Sequence, residues 1–482
     1  LSEHEGFGVP LIEAMIFDVP VVAYDSSNIK NTLGGSGVLF KEKNLRYMAG
    51  FLSLLSKNRV LKRAIIKTQR ENLLDFQHNK IKYDLAHFLN RQNLTSIDLK
   101  SIPKTTSLQN VAIQIEGPFD SSYSLALLNR EMAKALEKLK PESVSLFSTE
   151  GLGDFEPNQN FLMQNPFYDK LYKRATKAQT SEVVLRNLYP PRVYDAKGLI
   201  NLTNSYGWEE SAFPNQYLQD FNTHLDALPV MSRYVQKMMI DNGLSISAPV
   251  VGVGVDHLLE IEPKEYALKT KKSYKFLHIS SCFPRKGVDI LLKAYEMAFT
   301  ISDDVCLVIK TFPNPHNNIA DLLINHKNAN ENFPEVELIN EDLQDAYIIS
   351  LYQKCNALVA PSRGEGFGLP MAEAMLFDMP VITTGFGGQR DFCSDDTSWL
   401  IDYAFAKAQT HMNLFNSYWV EPSLEHLAQL MKLLYKMPQD EMAQKTLKAK
   451  ENILANHKWE HCAKRLLQAV EEVKQKPIFD DK

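Results

Sequence analysis

Nothing in the 482 residues forms a cysteine framework. The five cysteines, Cys282, Cys306, Cys355, Cys393 and Cys462, are widely scattered, with no CxxC pair and no His/Cys cluster at zinc spacing. That excludes a disulfide scaffold or a zinc ribbon and points to reduced thiols in a cytosolic compartment. No apolar run reaches the roughly 18 residues of a membrane-spanning helix. An excess of basic charge is missing too. The 53 lysines and arginines face 58 aspartates and glutamates, a formal net charge of −5, which removes the electrostatic case for nucleic acid. No DxD-like motif marks a metal site, and His224, His278 and His316 stand singly, as structural or surface histidines do. What remains, 44% hydrophobic and 23% charged, is an ordinary globular composition. The length suits roughly three domain-sized units.

The densest signal is residues 355–391, CNALVAPSRGEGFGLPMAEAMLFDMPVITTGFGGQRD. The apolar run 357–360 stops at Pro361 and Ser362, and a turn follows, Gly364-Glu365-Gly366-Phe367-Gly368. Pro370 opens an apolar-periodic segment reaching Phe377, and a second apolar run fills 381–384. This is strand, tight turn, helix and strand, the half-unit of a parallel α/β sheet. Pro370 falls in the first helical turn, where no backbone donor is needed. Glycines let backbone approach a ligand and turn N–H groups on an anion. The helix N-terminus behind them favours a phosphate. Glu365 and Glu373 would repel a phosphate they faced, so they suit sugar and ribose hydroxyls. Two solvated glutamates beside a glycine-rich turn is the plainer reading, and a short glycine motif does not separate the two.

The block resembles the E-x7-E motif of the retaining glycosyltransferases of family 4, which have the GT-B fold. Glu365 and Glu373 keep that spacing within EGFGLP…EAM…PVI. The block also stands at the N-terminus, offset by 360 residues. Between 2–22 and 362–382, 13 of 21 positions are identical, with Glu5 matching Glu365 and Glu13 matching Glu373. A period this long means two copies of a large domain, not a solenoid. The chain is therefore expected to be the C-terminal part of a longer polypeptide. Residues 1–95 would be the trailing half of an upstream copy, with Glu5 and Glu13 inert here, and 96–109 (SIDLKSIPKTTSLQ) a linker. The expected fold class is α/β, GT-B, with two Rossmann-like domains facing a cleft. They are an acceptor domain at 110–255 and a donor domain at 256–457, and a helix at 458–475 crosses back to brace the first.

In the second copy, a strand at 111–115, a loop at Gly117 and a helix at 123–139 open a Rossmann-like unit. The resemblance turns this loop toward sugar and diphosphate. Only Gly117 stands where the family has a glycine pair, and a plain strand–helix turn is the alternative. Further strands are expected at 143–148, 183–185, 198–202, 225–230 and 249–253, with the last strand at 399–401. Trp208 and Glu209 are placed in the acceptor region, the indole stacking on a sugar ring; a tryptophan packed on the core is the other reading. After a strand at 274–280 come Arg285 and Lys286. The resemblance gives Lys286 the donor diphosphate, where a cation stabilises the charge that grows on the leaving group. Ser281 occupies the place of a family arginine, and Arg285 either substitutes for it or is a solvated loop charge. Gly387 and Gly388 form another glycine turn near the nucleotide.

The resemblance implies transfer of a sugar, with retention, from a nucleotide diphosphosugar to an acceptor hydroxyl. The nucleotide sugar is a substrate, and no cofactor or metal is expected. Glu365 would accept from donor-sugar hydroxyls, Glu373 from the ribose, and the amides of Gly366, Phe367 and Gly368 would hold sugar and phosphate. The acceptor would be a glycan or lipid-linked oligosaccharide in O-antigen-type surface polysaccharide synthesis, with mannose from GDP-mannose as the first donor to test. A catalytically inactive scaffold copy and a nucleotide-sugar epimerase on the same fold are the competing classes. The expected location is the cytoplasm or the inner face of its membrane, with membrane or assembly contacts left to regions outside this sequence.

Overall fold

The computed structural model describes residues 2–76, 78–92, 111–177, 181–409 and 414–475. The expected linker at 96–109 lies outside the described residues. All seven residues of Val305–Thr311 (VCLVIKT) are buried, and a strand apolar on both faces needs cover on both, as in the middle of a parallel sheet. That is its place. Six parallel strands run in the order Glu335–Asn340, Val305–Thr311, Tyr274–Ile279, Ala357–Ala360, Val381–Thr384, Trp399–Ile401. Numbered along the chain this is 3-2-1-4-5-6, the doubly wound order whose ligand crevice opens between strands 1 and 4 at their carboxyl ends. Those ends are Ile279 and Ala360.

A second parallel sheet has four strands, in the order Val144–Phe147, Val111–Glu116, Ser181–Arg186, Ile200–Thr203. Beyond it the sheet continues only as single bridges, from Leu202 to Ala227 and from Ala227 to Ser247. The strands expected at 225–230 and 249–253 are therefore not continuous ladders. Pro229 and Pro249 bring no N–H to the ladder; their carbonyls still accept, from Tyr206 N (2.7 Å) and Val230 N (2.9 Å).

A second correction lies at the other edge. Trp399–Ile401 is followed by an antiparallel hairpin, Tyr403–Lys407 with Tyr418–Pro422, so it is not the last strand. Tyr403–Lys407 is almost wholly exposed and carries no core signal in its sequence. The hairpin is held by partners distant along the chain. Arg363 clasps Glu421 (2.6 and 2.8 Å) and Asp289 (2.8 Å to each oxygen), and Ser211 N donates to Tyr418 O at 3.1 Å.

The final helix, Trp459–Lys474, packs along Ser124–Leu139 and so joins the two sheets. Trp459 N donates to Asp256 (2.8 Å) and Arg465 Nε to Val251 O (2.7 Å). Gly254 makes room: a Cβ there would lie 2.5 Å from Trp459 N.

The repeated sequence folds the same way twice. Helices Val9–Ile16 and Leu369–Leu376 both start at a left-handed glycine, Gly8 at φ 83° and Gly368 at φ 95°. Left-handed aspartates follow both, Asp18 at 54° and Asp378 at 58°. Among the described residues, strand Val22–Tyr24 of the first copy pairs with Val38–Phe40 alone. Arg59, donating to Leu225 O (3.0 Å), and Arg63, beside Asp226 (3.4 Å), tie this piece to the second copy. No described helix is long and apolar enough to cross a membrane.

Candidate functional site

The loops after Ile279 and Ala360 meet at the switch point of the larger sheet. The first ends in a 3-10 turn, Pro284–Lys286, closed by Gly287 at φ 67°. A Cβ on Gly287 would sit 2.1 Å from the carbonyl oxygen of Pro361, so glycine is what lets the second loop pass. Arg363 N then donates to Arg285 O at 2.6 Å. This contact aims Lys286 at Glu365, with Nζ 2.6 Å from Oε1. Ser362 Oγ donates to the same oxygen (2.7 Å), and the Arg285 guanidinium lies 3.6 Å from Oε2. Burial works against ionisation of Glu365. The charges of Lys286 and Arg285 and the Ser362 hydrogen bond outweigh it, and hold the carboxyl below its usual range.

Glu373 follows eight residues later, in the second turn of helix Leu369–Leu376. Tyr352, from helix Asp345–Lys354, donates its hydroxyl to Glu373 Oε2 at 2.8 Å. Burial pushes this carboxyl up to about 7; Asp345 adds to the rise, and the Tyr352 bond and Lys310 oppose it. The two acids of one motif thus differ in kind. One is a clamped anion and the other titrates near neutrality.

The turn between them is gripped from the opposite domain. Ser232 Oγ donates to Gly366 O (2.6 Å), and a Cβ on Gly366 would lie 3.2 Å from the backbone of Trp208. Gly388 N donates to Glu365 O (2.7 Å), and a Cβ on Gly388 would lie 1.8 Å from Gly366 O. Gly387 beside it has φ 110°. Glu209 reaches across the cleft to Arg285, 3.0 Å away. Glu365, Lys286, Arg285, Gly366, Gly368, Gly387, Gly388 and Glu209 therefore gather at one place, with Glu373 in the helix behind the turn beside Tyr352. Phe367 is there through its backbone; its ring packs on Phe392 and His457, with centroids at 5.0 and 5.3 Å.

Three readings change. Trp208 is only 6% exposed, its Nε1 donates to Ala212 O (2.8 Å), and its ring packs edge-on to Phe213 at 4.8 Å. The indole belongs to the core and has no face for a sugar. Arg285 is no solvated charge, since it bridges Glu209 and Glu365. The absent side chain of Gly117 answers to packing, because a Cβ would meet Asn187 O at 2.1 Å and Asn129 Nδ2 at 2.5 Å. The tip of that loop still spans the cleft, Ser122 Oγ donating to Asp342 at 2.7 Å. In the first copy, Glu13 is exposed and Glu5 makes no ion pair among the described residues. Tyr352 and Ser232 carry no motif and are recognisable only by what they touch, whereas Ser362 stands in the repeated block with no role marked for it. Among the described residues no group of three or more His, Cys, Asp or Glu side chains is placed to hold a metal ion.

The chain superposes on sucrose-phosphate synthase from Thermosynechococcus elongatus with a TM-score of 0.53, covering 75% of this chain and 98% of that one at 15% identity. Residues 261–451 match the family described as glycosyl transferases group 1. The fold is GT-B, and residues 261–451 are similar to the group 1 glycosyltransferases. Both switch-point loops, with Lys286 and the Glu365–Glu373 pair, fall inside the matched residues. An uncharacterized glycosyltransferase of Methanocaldococcus jannaschii is 31% identical to the chain over 183 residues, 37% of this chain and 46% of that protein. The serotype-specific mannosyltransferase WbdA of Escherichia coli is 30% identical over 108 residues, 22% of this chain and 13% of WbdA. The chain thus spans less than half the length of these curated relatives.

Proposed function

We propose that the chain is a retaining glycosyltransferase of family 4 type, moving a sugar from a nucleotide diphosphosugar to an acceptor hydroxyl on a glycan. The observation that carries this is the cluster of Lys286, Arg285 and Glu365 at the switch point, with Glu373 in the second turn of the helix that follows. On entry of the donor, Lys286 and Arg285 turn from Glu365 to the diphosphate. Arg285 then fills the role that Ser281 cannot, and Glu365 is released to accept from sugar hydroxyls. Glu373 accepts from the ribose. The amides of Gly366, Phe367 and Gly368, at the start of helix Leu369–Leu376, hold sugar and phosphate. The bond from the anomeric carbon to the diphosphate breaks, the acceptor oxygen forms its bond on the same face, and the acceptor proton passes to the leaving phosphate oxygen. The developing charge rests on Lys286 and Arg285, so no metal or cofactor is assigned a step. GDP-mannose is the first donor to test, on the partial similarity to WbdA. Growth of a surface polysaccharide by a tandem enzyme is the matching context, and five buried, unpaired cysteines fit a cytoplasmic site.

This reading fixes the pH dependence of nucleotide binding. Ribose hydroxyls donate to the ionised form of Glu373, whose free carboxyl titrates at about 7. Binding below that value must therefore expel a proton, and affinity should rise from about pH 6 to about pH 8 and then level off. Calorimetry of the nucleoside diphosphate in buffers of different ionisation enthalpy reads the proton directly. Glu373→Gln should bind more weakly and release fewer protons, keeping only those lost by the terminal phosphate, which itself titrates at about 6; proton release equal to the parent's from that variant would remove Glu373 from the ribose site. The free fold carries the opposite sign. The carboxyl titrates at about 7 folded against 4.5 ordinarily, so its contribution to stability is complete below 4.5 and is lost as pH rises through 7.

A further inference from the structure

A row of aromatic rings leaves the cleft and ends in solvent. It starts at Tyr234, whose hydroxyl donates to the carbonyl of Glu209 (3.2 Å), the residue whose carboxylate holds Arg285. Tyr234 meets Phe386 at 5.3 Å between centroids. Phe386 meets Tyr403 at 5.4 Å and Phe405 at 5.6 Å, and these two lie 5.9 Å apart. Tyr403 and Phe405 alternate along one strand of the hairpin, so both side chains stand on the same face. They are 40% and 69% exposed. Exposed aromatic rings in mutual contact, continuous with a cleft, are the kind of surface at which ligands bind.

The hairpin that displays these rings is anchored through its second strand. A two-stranded ribbon is marginal by itself, and this one is pinned at several points. Arg363 binds Glu421 from below (2.6 and 2.8 Å). Ser417 Oγ donates to Glu210 (2.6 Å), and Tyr418 N to Ser211 Oγ (2.7 Å), both on the opposite domain. The loop 209–211 therefore touches Arg285 at one end and the hairpin at the other.

Resting on the transferase reading, we propose that Phe386, Tyr403 and Phe405 form a platform for the sugar units of an extended acceptor glycan lying outward from the cleft. A pyranose ring has one face of C–H groups, which stacks on an aromatic ring while its equatorial hydroxyls stay in water. A line of rings that continues from the cleft suits a chain of such units. A membrane surface suits it less, since a lipid-binding patch carries clustered lysines and arginines and Lys407 is the one basic residue of the exposed strand.

The test is binding without donor, followed by calorimetry or protein-observed NMR. The probes are linear tetrasaccharides of mannose, glucose, galactose and N-acetylglucosamine, with the matching monosaccharides. At least one tetrasaccharide should bind more tightly than its monosaccharide. Phe405→Ala should weaken it on the order of tenfold, and Phe405→Trp should retain it. Because the ring is 69% exposed, the fold tolerates both changes, and melting curves check this. The proposal is overturned if no tetrasaccharide binds, if Phe405→Ala binds as the parent does, or if Phe405→Ala instead loses binding to phosphatidylglycerol vesicles alone. No turnover is needed, so the two readings fail separately. Ring-dependent sugar binding without nucleoside diphosphate release removes the transferase and keeps the platform, whereas turnover with unchanged sugar binding in Phe405→Ala does the reverse.

Discussion

Replacing Lys286 with methionine is expected to slow nucleoside diphosphate release by on the order of 100- to 1,000-fold, with donor binding weakened less than the rate. Lys286 is the ammonium nearest the carboxylate of Glu365, at 2.6 Å, and under the proposed exchange it is the cation that meets the charge on the leaving diphosphate. Methionine keeps the length of the side chain and most of its contacts. Arg285 still compensates Glu365 from 3.6 Å, so the site is not left with an uncompensated buried anion. Steady-state rates at saturating donor, with the melting temperature as a control on folding, separate the outcomes. A rate within a factor of about 3 of the parent, well under one decade of free energy, would mean that the leaving-group charge is carried elsewhere.

Gly388→Ala is the second large effect. The added Cβ would lie 1.8 Å from Gly366 O, 2.3 Å from Gly366 C and 2.8 Å from Ser232 Oγ. No side-chain rotation relieves a clash with backbone, so the loop holding Glu365 must move. Overpacking of this kind costs about 1–3 kcal/mol of stability, and a shift of about 1 Å in a positioned group lowers kcat/KM on the order of 100-fold. Gly385→Ala supplies the contrast three residues earlier: its Cβ would approach nothing nearer than 3.4 Å. Gly385→Ala should run near the parent rate while Gly388→Ala does not. Equal rates would show that the two glycine loops need not touch.

Half of the doubly wound sheet was legible because its strands at 357–360, 381–384 and 399–401 are short apolar runs, and the strand–turn–helix–strand of 355–391 is local. The hairpin Tyr403–Lys407 and Tyr418–Pro422 was not legible, since its aromatics face solvent and its anchor, Arg363, belongs to a distant loop. The residues of the site divide the same way. Glu365, Glu373 and their glycines lie within one short motif. The pairing of Lys286 with Glu365 joins positions 79 residues apart, and that of Ser232 with Gly366 joins positions 134 apart. Tyr352 hides in an ordinary helix, and only the fold brings it to Glu373. Trp208 went astray for a different reason. A tryptophan beside acids reads alike whether it stacks on a sugar or packs on Phe213, and only its burial decides.

The most direct test of the transferase assignment is nucleoside diphosphate release by the unaltered chain. The donors are GDP-mannose and a panel of GDP-, UDP- and dTDP-sugars, each with and without oligosaccharide acceptors. The account predicts release from one donor that depends on acceptor and is lost in Glu373→Ala. A donor that binds tightly yet is never consumed, whatever the acceptor, would contradict it and leave the chain a nucleotide-sugar-binding scaffold.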